Sequence, residues 1–590
     1  MITELPTLDK RNVTTFTDDQ LCKWTRVVCR IICIGLALFE TWPQRHFLNE
    51  DGVSYLDMSD ALQRHNWHLL INPIWSPLYP LLIGTVTWLT HPSARWEIPL
   101  VHLVNFVIFL AALASFEFLL RRAIGVLRQE SRRDDKKSAV ALPIWVWQLL
   151  GYSLFVWSTF GMIWAPRVVT PDLCVAAFLY LDGGLLLSLG AGSPKLRTSL
   201  LLGLTLGFGY LAKAILFPMA FLFMAIAFFA IGAWRRAVLP LAVTFLVFCA
   251  VAAPLVIAMS ERVGKPSYSE AGNLNYAWHV NYVRQDKPPV WPFFRAETGP
   301  PAYLKHPVTL LHSHPEVYAF KEPLALTYPP RSDMAYWGAG TKVVFNLRNQ
   351  LLTTIGGLVL FFRDPHILPL SVLIVAGFIV VFLGPLSPRG LKSIPRSWPL
   401  LIPGIVGPCL YLLIAVEPRY VAPFFVMVLV GLFPGILRRN SLNNGRRVTV
   451  WLLTVAASLM FFSASLVAYH LAGFPRAEDG SVFLQVGSAL NRAGVRPGEE
   501  VAIMGESSDG CRWARLARVR IVAQILREDV GDFWRITDPH EKAEVYDAFV
   551  RAGATAVIAE DTPPSRAIGE WQQLGDTHYY VHLLSPTGTN

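Results

Sequence analysis

Apolar and polar positions alternate in long blocks through the first 470 residues of the chain. A helix needs about 20 mostly apolar residues to cross about 30 Å of hydrocarbon, and this requirement predicts about eleven membrane spans. They lie near 24–43, 97–120, 143–164, 172–191, 198–213, 214–233, 238–259, 366–384, 398–416, 421–437 and 448–470. Two further apolar stretches, 69–91 and 350–362, are interrupted or short, so we predict interfacial or re-entrant helices there.

The pattern changes after residue 470. Short apolar segments with strand character alternate there with segments typical of helices. The strands are predicted at 501–505, 555–560 and 579–584, and the helices at 511–520 and 541–552. This alternation predicts a small α/β domain at the C-terminal end.

Basic residues mark one side of the predicted spans. Cytoplasmic turns of membrane proteins are enriched in Lys and Arg, and basic clusters fall at alternate connections, at 121–137, 195–197, 235–236, 389–396 and 438–447. With the N-terminus in the cytoplasm, the other connections lie outside. We therefore predict a multi-pass plasma-membrane protein with a cytoplasmic tail (1–23), a transmembrane domain (24–470) with outside loops 44–96 and 260–346, and a soluble extracytoplasmic domain (471–590).

Composition excludes a soluble fold. Of 590 residues, 53% are hydrophobic and 16% are charged, whereas soluble domains carry roughly 25% charged residues. The net charge of +10 averages two regions, because residues 471–590 hold 12 Lys and Arg against 17 Asp and Glu, and the rest holds 40 against 25. The positive charge therefore marks a membrane face rather than a nucleic-acid footprint, and the lipid bilayer is the expected partner.

The segment after the first predicted span carries the strongest chemical signal. Asp51 is followed one helical turn later by Tyr55, and the sequence WSPLYP follows at 75–80. Asp51 lies near the predicted start of a helix at the outer membrane face, where a carboxylate also serves as a helix cap. Both interpretations stay open at this stage. Asp57 and Asp60 are predicted to lie on a solvated face of the same segment.

Three further elements place charged residues at outside connections. TPD ends at Asp172 in the second outside turn, and GYLAK ends at Lys213 in a tight bend between two spans. EPRY, at 417–420, opens a late span. All three lie on the same predicted side of the membrane as Asp51.

In their residues and order, these elements resemble the GT-C membrane glycosyltransferases. The resemblance covers about 45–440 and is nearest to the family-39-like or Rgt-like branch, which is related to protein O-mannosyltransferases and the lipid A aminoarabinose transferase. It implies a GT-C-like polytopic fold in the bacterial inner membrane and a sugar donor carried on a polyprenyl phosphate. It also implies an inverting glycosyltransferase that acts on a lipid, glycan or protein acceptor at the outer face.

The resemblance gives roles to the acidic elements. Asp51 matches the base that takes the proton from the acceptor hydroxyl, and Tyr55 lies beside it. Asp172 matches a second acidic position, which binds a metal or orients the acceptor, and Arg167 is its expected partner. The alternative for Asp172 is an ordinary helix start, with a Thr cap and a Pro in the first turn.

The basic elements match the leaving group. Lys213 is the expected contact for the developing charge on the lipid phosphate, because an ammonium between two apolar segments is expensive and usually functional. Arg419 offers a guanidinium fork suited to phosphate, with Tyr420 beside it. The alternatives are that Lys213 extends to the outer interface and that Arg419 is an anchor for Glu417 or a lipid headgroup.

One departure from the related branches concerns metal. The aminoarabinose-transferase and O-mannosyltransferase branches tend to have an acidic and a basic residue just before a P-P-L element. Here Ile74, Trp75 and Ser76 stand at that place. The sequence therefore implies no certain cofactor, and a divalent metal stays open.

The outside loop 260–346 is rich in aromatic residues and histidine. Tyr276, Trp278, His279, Tyr282, Trp291 and Trp337 suit either sugar stacking or the aromatic belt at a membrane interface. His312 and His314, with Glu316, have metal-ligand chemistry. The alternative for that group is an exposed or satisfied histidine pair.

Two other functions fit a polytopic chain with a long outside loop. An O-antigen-ligase-type transferase would centre its chemistry on Arg and His in that loop, so it would tolerate loss of the Asp51 carboxylate. A secondary transporter predicts an inverted repeat and broken helices at the midplane, and the sequence shows no such repeat. Transport also leaves the C-terminal domain unexplained.

Overall fold

The computed structural model describes residues 17–133, 143–190, 195–281, 308–320, 326–329, 343–363, 397–436, 442–473, 480–505, 507–560, 563 and 568–584. Up to residue 473 these residues are largely helical, and a mixed sheet lies mainly in the C-terminal region. The prediction of a largely helical chain with apolar helices and a C-terminal α/β region is thereby confirmed.

Ten helices form the first half of the described chain. They are α1 (Asp18–Thr41), α2 (Glu50–Ser59), α3 (Leu78–Thr90), α4 (Ala94–Arg133), α5 (Ile144–Val156), α6 (Asp172–Gly190), α7 (Leu196–Ala212), α8 (Leu216–Ile231), α9 (Trp234–Val263) and α10 (Ala271–His279). A hairpin and four helices follow, namely β1 (Val308–Ser313), β2 (Glu316–Phe320), α11 (Leu347–Arg363), α12 (Trp398–Leu412), α13 (Pro418–Ile436) and α14 (Leu442–Gly473).

The C-terminal region alternates helices and strands. Its elements are α15 (Gly480–Arg492), β3 (Glu500–Met504), α16 (Ser507–Ala517), β4 (Arg520–Ile525), α17 (Arg527–Arg535), α18 (Pro539–Arg551), β5 (Ala556–Ala559), β6 (Gln572–Gln573) and β7 (Tyr580–Leu583). The predicted strands correspond to β3, β5 and β7. The predicted helix 511–520 ends earlier, at Ala517, and Arg520 begins β4, a strand that the sequence pattern did not reveal.

Four described helices are long and apolar enough to cross a membrane by length and composition. The segments are Ala94–Gln129, Asp172–Gly190, Trp234–Val263 and Val448–Ala472. Five shorter apolar helices are α3, α7, α8, α12 and the Pro418–Phe433 part of α13. The predicted span 366–384 lies outside the described residues, so the count of about eleven spans stays a prediction.

Glycine lets neighbouring helices of the apolar part approach closely. A Cβ at Gly203 of α7 would lie 2.5 Å from the backbone oxygen of Thr244 in α9, and one at Gly207 would lie 2.6 Å from Val251. In lipid there is no hydrophobic driving force between helices. Small residues at helix contacts favour association because they allow close packing. This packing fixes the end of α7, where Lys213 follows.

The sheet joins two distant parts of the chain. Its strand order is β1-β2-β4-β3-β5-β7-β6. β3 pairs in parallel with β4 and β5, and the remaining pairs are antiparallel. Because the hairpin β1–β2 belongs to the 260–346 loop, the predicted C-terminal domain is completed by strands from the preceding region.

The C-terminal region also packs on α2, and this corrects one prediction. Asp57 and Asp60 are buried, with 1% and 8% exposure, instead of lying on a solvated face. Arg515 of α16 hydrogen-bonds to both carboxylates. The solvated interpretation failed because the partner that buries α2 lies more than 450 residues away in sequence.

Candidate active site

The ends of four helices meet at one place and carry the charged residues singled out by the sequence. Asp51 lies in the first turn of α2, Asp172 is the first residue of α6, and Arg419 is the second residue of α13. Lys213 directly follows the last residue of α7. Carboxylates at helix N-termini and a cation at a helix C-terminus both complement the helix dipole, which favours Asp51, Asp172 and Lys213 at these positions. Arg419 lies at a helix N-terminus, where the dipole opposes its charge, and carboxylates of the cluster pair with it.

Lys213 and Asp172 form the innermost pair of this cluster. The Lys213 Nζ atom lies 2.6 Å from Asp172 Oδ1 and 3.6 Å from the centre of the Tyr420 ring. An ammonium over an aromatic face is stabilised by the ring quadrupole. The ammonium is therefore directed into the cluster and not toward a membrane interface.

Arg419 connects the remaining members of the cluster. Its Nη1 and Nη2 atoms both lie 3.2 Å from Asp51 Oδ2, and Nη1 lies 3.8 Å from Asp172 Oδ2. The Nε atom donates to Glu417 Oε2 at 2.6 Å, and Nη2 donates to the Tyr420 hydroxyl at 3.2 Å. One planar guanidinium thus orients groups from three separate segments of the chain.

Exposure differs strongly between the charged side chains of the cluster. Asp172 is 3% exposed, whereas Asp51 is 21%, Lys213 22% and Arg419 17% exposed. Ion pairs in such partly desolvated surroundings interact far more strongly than in water. Asp172 is therefore the buried carboxylate of the cluster, and Asp51 is the more exposed one.

Aromatic side chains frame Asp51 and Arg419. Tyr55, one turn after Asp51, makes edge contacts with Trp75 at 5.1 Å and with Tyr79 at 5.4 Å. Tyr420 stacks on Tyr411, with ring centres 5.1 Å apart. The WSPLYP element therefore supports the helix that carries Asp51.

The structure shows no side-chain cap at the start of α2. Asn49 is the N-cap residue and makes no side-chain cap hydrogen bond. Its Oδ1 atom accepts from the backbone N–H of Val169 at 2.8 Å, which ties α2 to the segment before α6. Asp51 itself is bonded to Arg419.

The loop between α9 and α11 contacts the segment just before the WSPLYP element. The backbone N–H of Glu270 and the Ser269 hydroxyl both donate to the Pro73 carbonyl, near WSPLYP. Burial lowers the pKa of His279, at the end of α10, and the nearby carboxylate of Glu417 opposes that shift. Tyr276 and Trp278 lie on α10, whereas Tyr282, Trp291 and Trp337 lie outside the described residues.

Of the seven predicted site residues, one lies elsewhere. Asp51, Asp172, Lys213, Arg419 and Tyr420 are joined by direct contacts, and Tyr55 follows Asp51 on α2.

Arg167 has contacts with two residues of the first outside connection and its preceding helix. Its Nε atom lies 3.9 Å from Glu40 Oε1, and its guanidinium lies 5.1 Å over the Phe47 ring. The expected pairing of Arg167 with Asp172 stays a prediction.

Glu417 also belongs to the cluster. The sequence had offered a Glu417–Arg419 pair as the alternative for Arg419, and the structure contains that pair, with Glu417 46% exposed. Its position two residues before the arginine was the signal, because such a short separation brings a carboxylate to the guanidinium Nε. Nothing in the sequence pointed to Tyr411, because its stacking on Tyr420 depends on the packing of α12 on α13.

The described residues do not fit a divalent metal. No group of three or more His, Cys, Asp or Glu side chains is placed to hold one in the part of the chain that the structure describes. The carboxylates of Asp51 and Asp172 face Arg419 and Lys213, which supply the positive charge a metal would bring. In the β1–β2 hairpin, His312 Nδ1 contacts the Pro315 carbonyl, and the Tyr318 hydroxyl donates to Glu316.

Comparison with known proteins gives similarity of overall fold at low identity. No protein-family model matches the chain, and no curated protein matches it. ArnT from Cupriavidus metallidurans, solved with undecaprenyl phosphate, is 11% identical over 96% of this chain and 99% of its own, with a TM-score of 0.47. The oligosaccharyltransferase AglB from Archaeoglobus fulgidus, solved with an inhibitory peptide and a dolichol-phosphate, is 11% identical over 92% of this chain and 70% of its own, with a TM-score of 0.45.

Proposed function

We propose that this chain is an inverting glycosyltransferase that moves a sugar from a polyprenyl-phosphate donor to an acceptor hydroxyl at the outer face of the plasma membrane. The observation that carries the proposal is the cluster of Asp51, Asp172, Lys213 and Arg419. Four distant segments bring a reachable carboxylate and two cations together at helix ends. These are the groups that the reaction requires, and the sequence resemblance to GT-C enzymes supports the same assignment.

Asp51 is the proposed general base. Inversion requires that the acceptor oxygen attack the anomeric carbon while the phosphate leaves from the opposite side. The acceptor proton must go to a base near the attacking oxygen, and Asp51 is the more exposed of the two aspartates in the cluster. An O-antigen-ligase-type reaction centred on loop residues would not need this carboxylate.

Lys213 and Arg419 are the proposed contacts for the leaving group. As the bond between the anomeric carbon and the phosphate oxygen breaks, the polyprenyl phosphate gains one negative charge. Fixed cations in a desolvated site stabilise that developing charge without reorganisation. Asp172 holds Lys213 and lies beside Arg419, so one buried carboxylate keeps both cations in the cluster.

Binding of the donor also prepares the base. Arg419 bridges to Asp51 through both terminal nitrogens, and a phosphate oxygen competes for the same nitrogens. When the guanidinium turns to the phosphate, Asp51 is released to accept the acceptor proton. The proposed order of events is therefore donor binding first and proton transfer second.

The test uses the purified full-length chain in liposomes. A panel of polyprenyl-phosphate sugars with labelled hexose, pentose and amino-sugar groups is offered together with a cell-envelope fraction as acceptor. We expect label to move from one donor to an envelope component, with inversion at the anomeric carbon and release of polyprenyl phosphate. Consumption of no donor, together with uptake of a solute into the liposomes, would replace this proposal with transport.

A further inference from the structure

We propose that Arg515, in the C-terminal region, is a positioning residue for the transfer reaction, because it holds helix α2 and thereby the Asp51 carboxylate. The inference rests on the proposed function and gives the C-terminal region a part in it. Arg515 has no contact with the cluster of Asp51, Asp172, Lys213 and Arg419 among the contacts that the described residues make. Its effect passes along α2.

Arg515 lies in a pocket of carboxylates from α2 and α4. Its Nη1 atom lies 2.8 Å from Asp60 Oδ2 and 3.3 Å from Asp57 Oδ1, and Nη2 lies 2.9 Å from Asp60 Oδ1. Glu97, near the start of α4, accepts a further hydrogen bond from Nη2. The Arg515 side chain is only 8% exposed, so these contacts are shielded from water.

Thr327 also binds the Asp57 carboxylate. The backbone N–H and the hydroxyl of Thr327 donate to the two carboxylate oxygens of Asp57 at 3.0 and 2.7 Å. The Thr327 carbonyl in turn accepts from the backbone N–H of Ile521 in β4 at 2.9 Å. Asp57 is therefore held both by α16 and by a segment fixed to the C-terminal sheet.

The charge balance around Arg515 makes its ion pairs with Asp57 and Asp60 important for the position of α2. Three buried carboxylates surround Arg515, and Arg64 supplies a second cation to Asp60 at 2.9 Å. Removal of one partner from a buried ion pair is strongly destabilising, because it leaves an uncompensated charge. Movement of α2 toward water would relieve this cost for Asp57 and Asp60.

Helix α2 is short enough to transmit such a movement. Asp51 and Asp57 are separated by about 9 Å along a helix that rises about 1.5 Å per residue. At the far end, Asn49 is bonded to Val169 and Asp51 to Arg419. A tilt at the Arg515 end therefore changes the distance between the Asp51 carboxylate and the cluster.

The test combines kinetics with a substrate-free measurement on three variants. Arg515→Met removes the charge, and Arg515→Lys keeps the charge but loses the fork. Arg535→Met is the matched control, because Arg535 is exposed and pairs with Asp532 on the surface of α17. For Arg515→Met we expect kcat at least tenfold lower, a donor KM within twofold of the wild type, and faster hydrogen–deuterium exchange in residues 50–59.

Arg515→Lys should fall between the wild type and Arg515→Met, and Arg535→Met should match the wild type. If Arg515→Met does not yield folded protein, Thr327→Val removes one hydrogen bond to Asp57, and the same direction of change is expected in both measurements.

A double variant separates positioning from general damage. If Arg515 acts through Asp51, adding Arg515→Met to Asp51→Asn should lower the residual rate less than twofold. Losses that multiply in the double variant, or unchanged exchange in residues 50–59 of Arg515→Met, would overturn the inference. The exchange measurement needs no substrate, so it tests the hold on α2 even if the wild type transfers no sugar, which is the result that refutes the proposed function.

Discussion

The guanidinium of Arg419 holds the carboxylate of Asp51, with Nη1 and Nη2 each 3.2 Å from the same oxygen. The group proposed to bind the leaving phosphate is thus bonded to the group proposed to take the acceptor proton. Their attraction is strong in a partly desolvated site. A donor phosphate that captures Arg419 therefore increases the basicity of the site at the moment when the base is needed.

Replacement of Lys213 tests the leaving-group assignment. Lys213→Met removes the ammonium next to Asp172, and we expect kcat/KM for the donor to fall by about 10²- to 10³-fold. Adding Asp172→Asn should restore thermal stability, because it removes the buried charge left without its partner, but it should not restore transfer. The matched control is Lys542→Met in the C-terminal region. A Lys213→Met variant with wild-type kcat/KM would contradict the assignment.

Replacement of Arg419 tests geometry rather than charge. Arg419→Lys keeps a cation but loses the planar fork that reaches Asp51 and Glu417 together, and Arg and Lys are not interchangeable at such sites. We expect steady-state kinetics to show a loss of at least about tenfold in kcat/KM. If the lysine variant equals the wild type, a point charge suffices and the proposed exchange between Asp51 and phosphate is wrong.

Two of the contacts that Tyr420 makes can be separated by substitution. Its ring lies 3.6 Å from Lys213 Nζ, and its hydroxyl accepts from Arg419 at 3.2 Å. Tyr420→Phe keeps the ring, so we expect a loss of kcat/KM below about threefold. Tyr420→Leu removes the cation–π contact and should lose about tenfold, since such contacts contribute about 0.5–2 kcal/mol. Equal losses of kcat/KM in Tyr420→Phe and Tyr420→Leu would show that the cation–π contact does not contribute to the reaction.

Glu270 makes the stability of the long loop dependent on pH. Burial alone would raise the pKa of Glu270, but hydrogen bonds from Asn273 and Ser267 and the ammonium of Lys265 lower it below its ordinary value. The folded state therefore gains stability from this carboxylate above about pH 4.3, and that gain is lost as the pH falls through the lowered pKa.

Thermal unfolding between pH 6 and pH 3 measures this effect. Over this pH range, the Tm of the wild type should fall further than the Tm of Glu270→Gln, because glutamine takes up no proton at this position. Parallel curves for the two proteins would show that Glu270 titrates alike in the folded and unfolded chains.

The charged cluster could be predicted because charges are scarce in the membrane part of this chain. Asp51, Asp172, Lys213 and Arg419 each lie where an apolar run begins or ends, and the placement of basic clusters put all four ends on one side. Sequence reasoning could not give the pairing of these charges, because pairing depends on the rotation of each helix.

The contacts of the C-terminal region could not be predicted in the same way. Asp57 and Asp60 have the composition of a solvated face, and only a partner from α16 makes them buried. The β1–β2 hairpin likewise joins its sheet through pairing with β4, more than 200 residues away in sequence. Such contacts follow from the tertiary arrangement and leave no periodic pattern in the chain.

The most direct test of the central claim is the rate of sugar transfer by Asp51→Asn. The purified variant is compared with the wild type and with Asp532→Asn, a matched control at an exposed surface pair, using the labelled polyprenyl-phosphate donor that the wild type accepts. Loss of a general base lowers kcat by about 10²- to 10⁴-fold, and we expect a fall in that range for Asp51→Asn and none for the control. Equal kcat in Asp51→Asn and the wild type would contradict the assignment of Asp51 as the base.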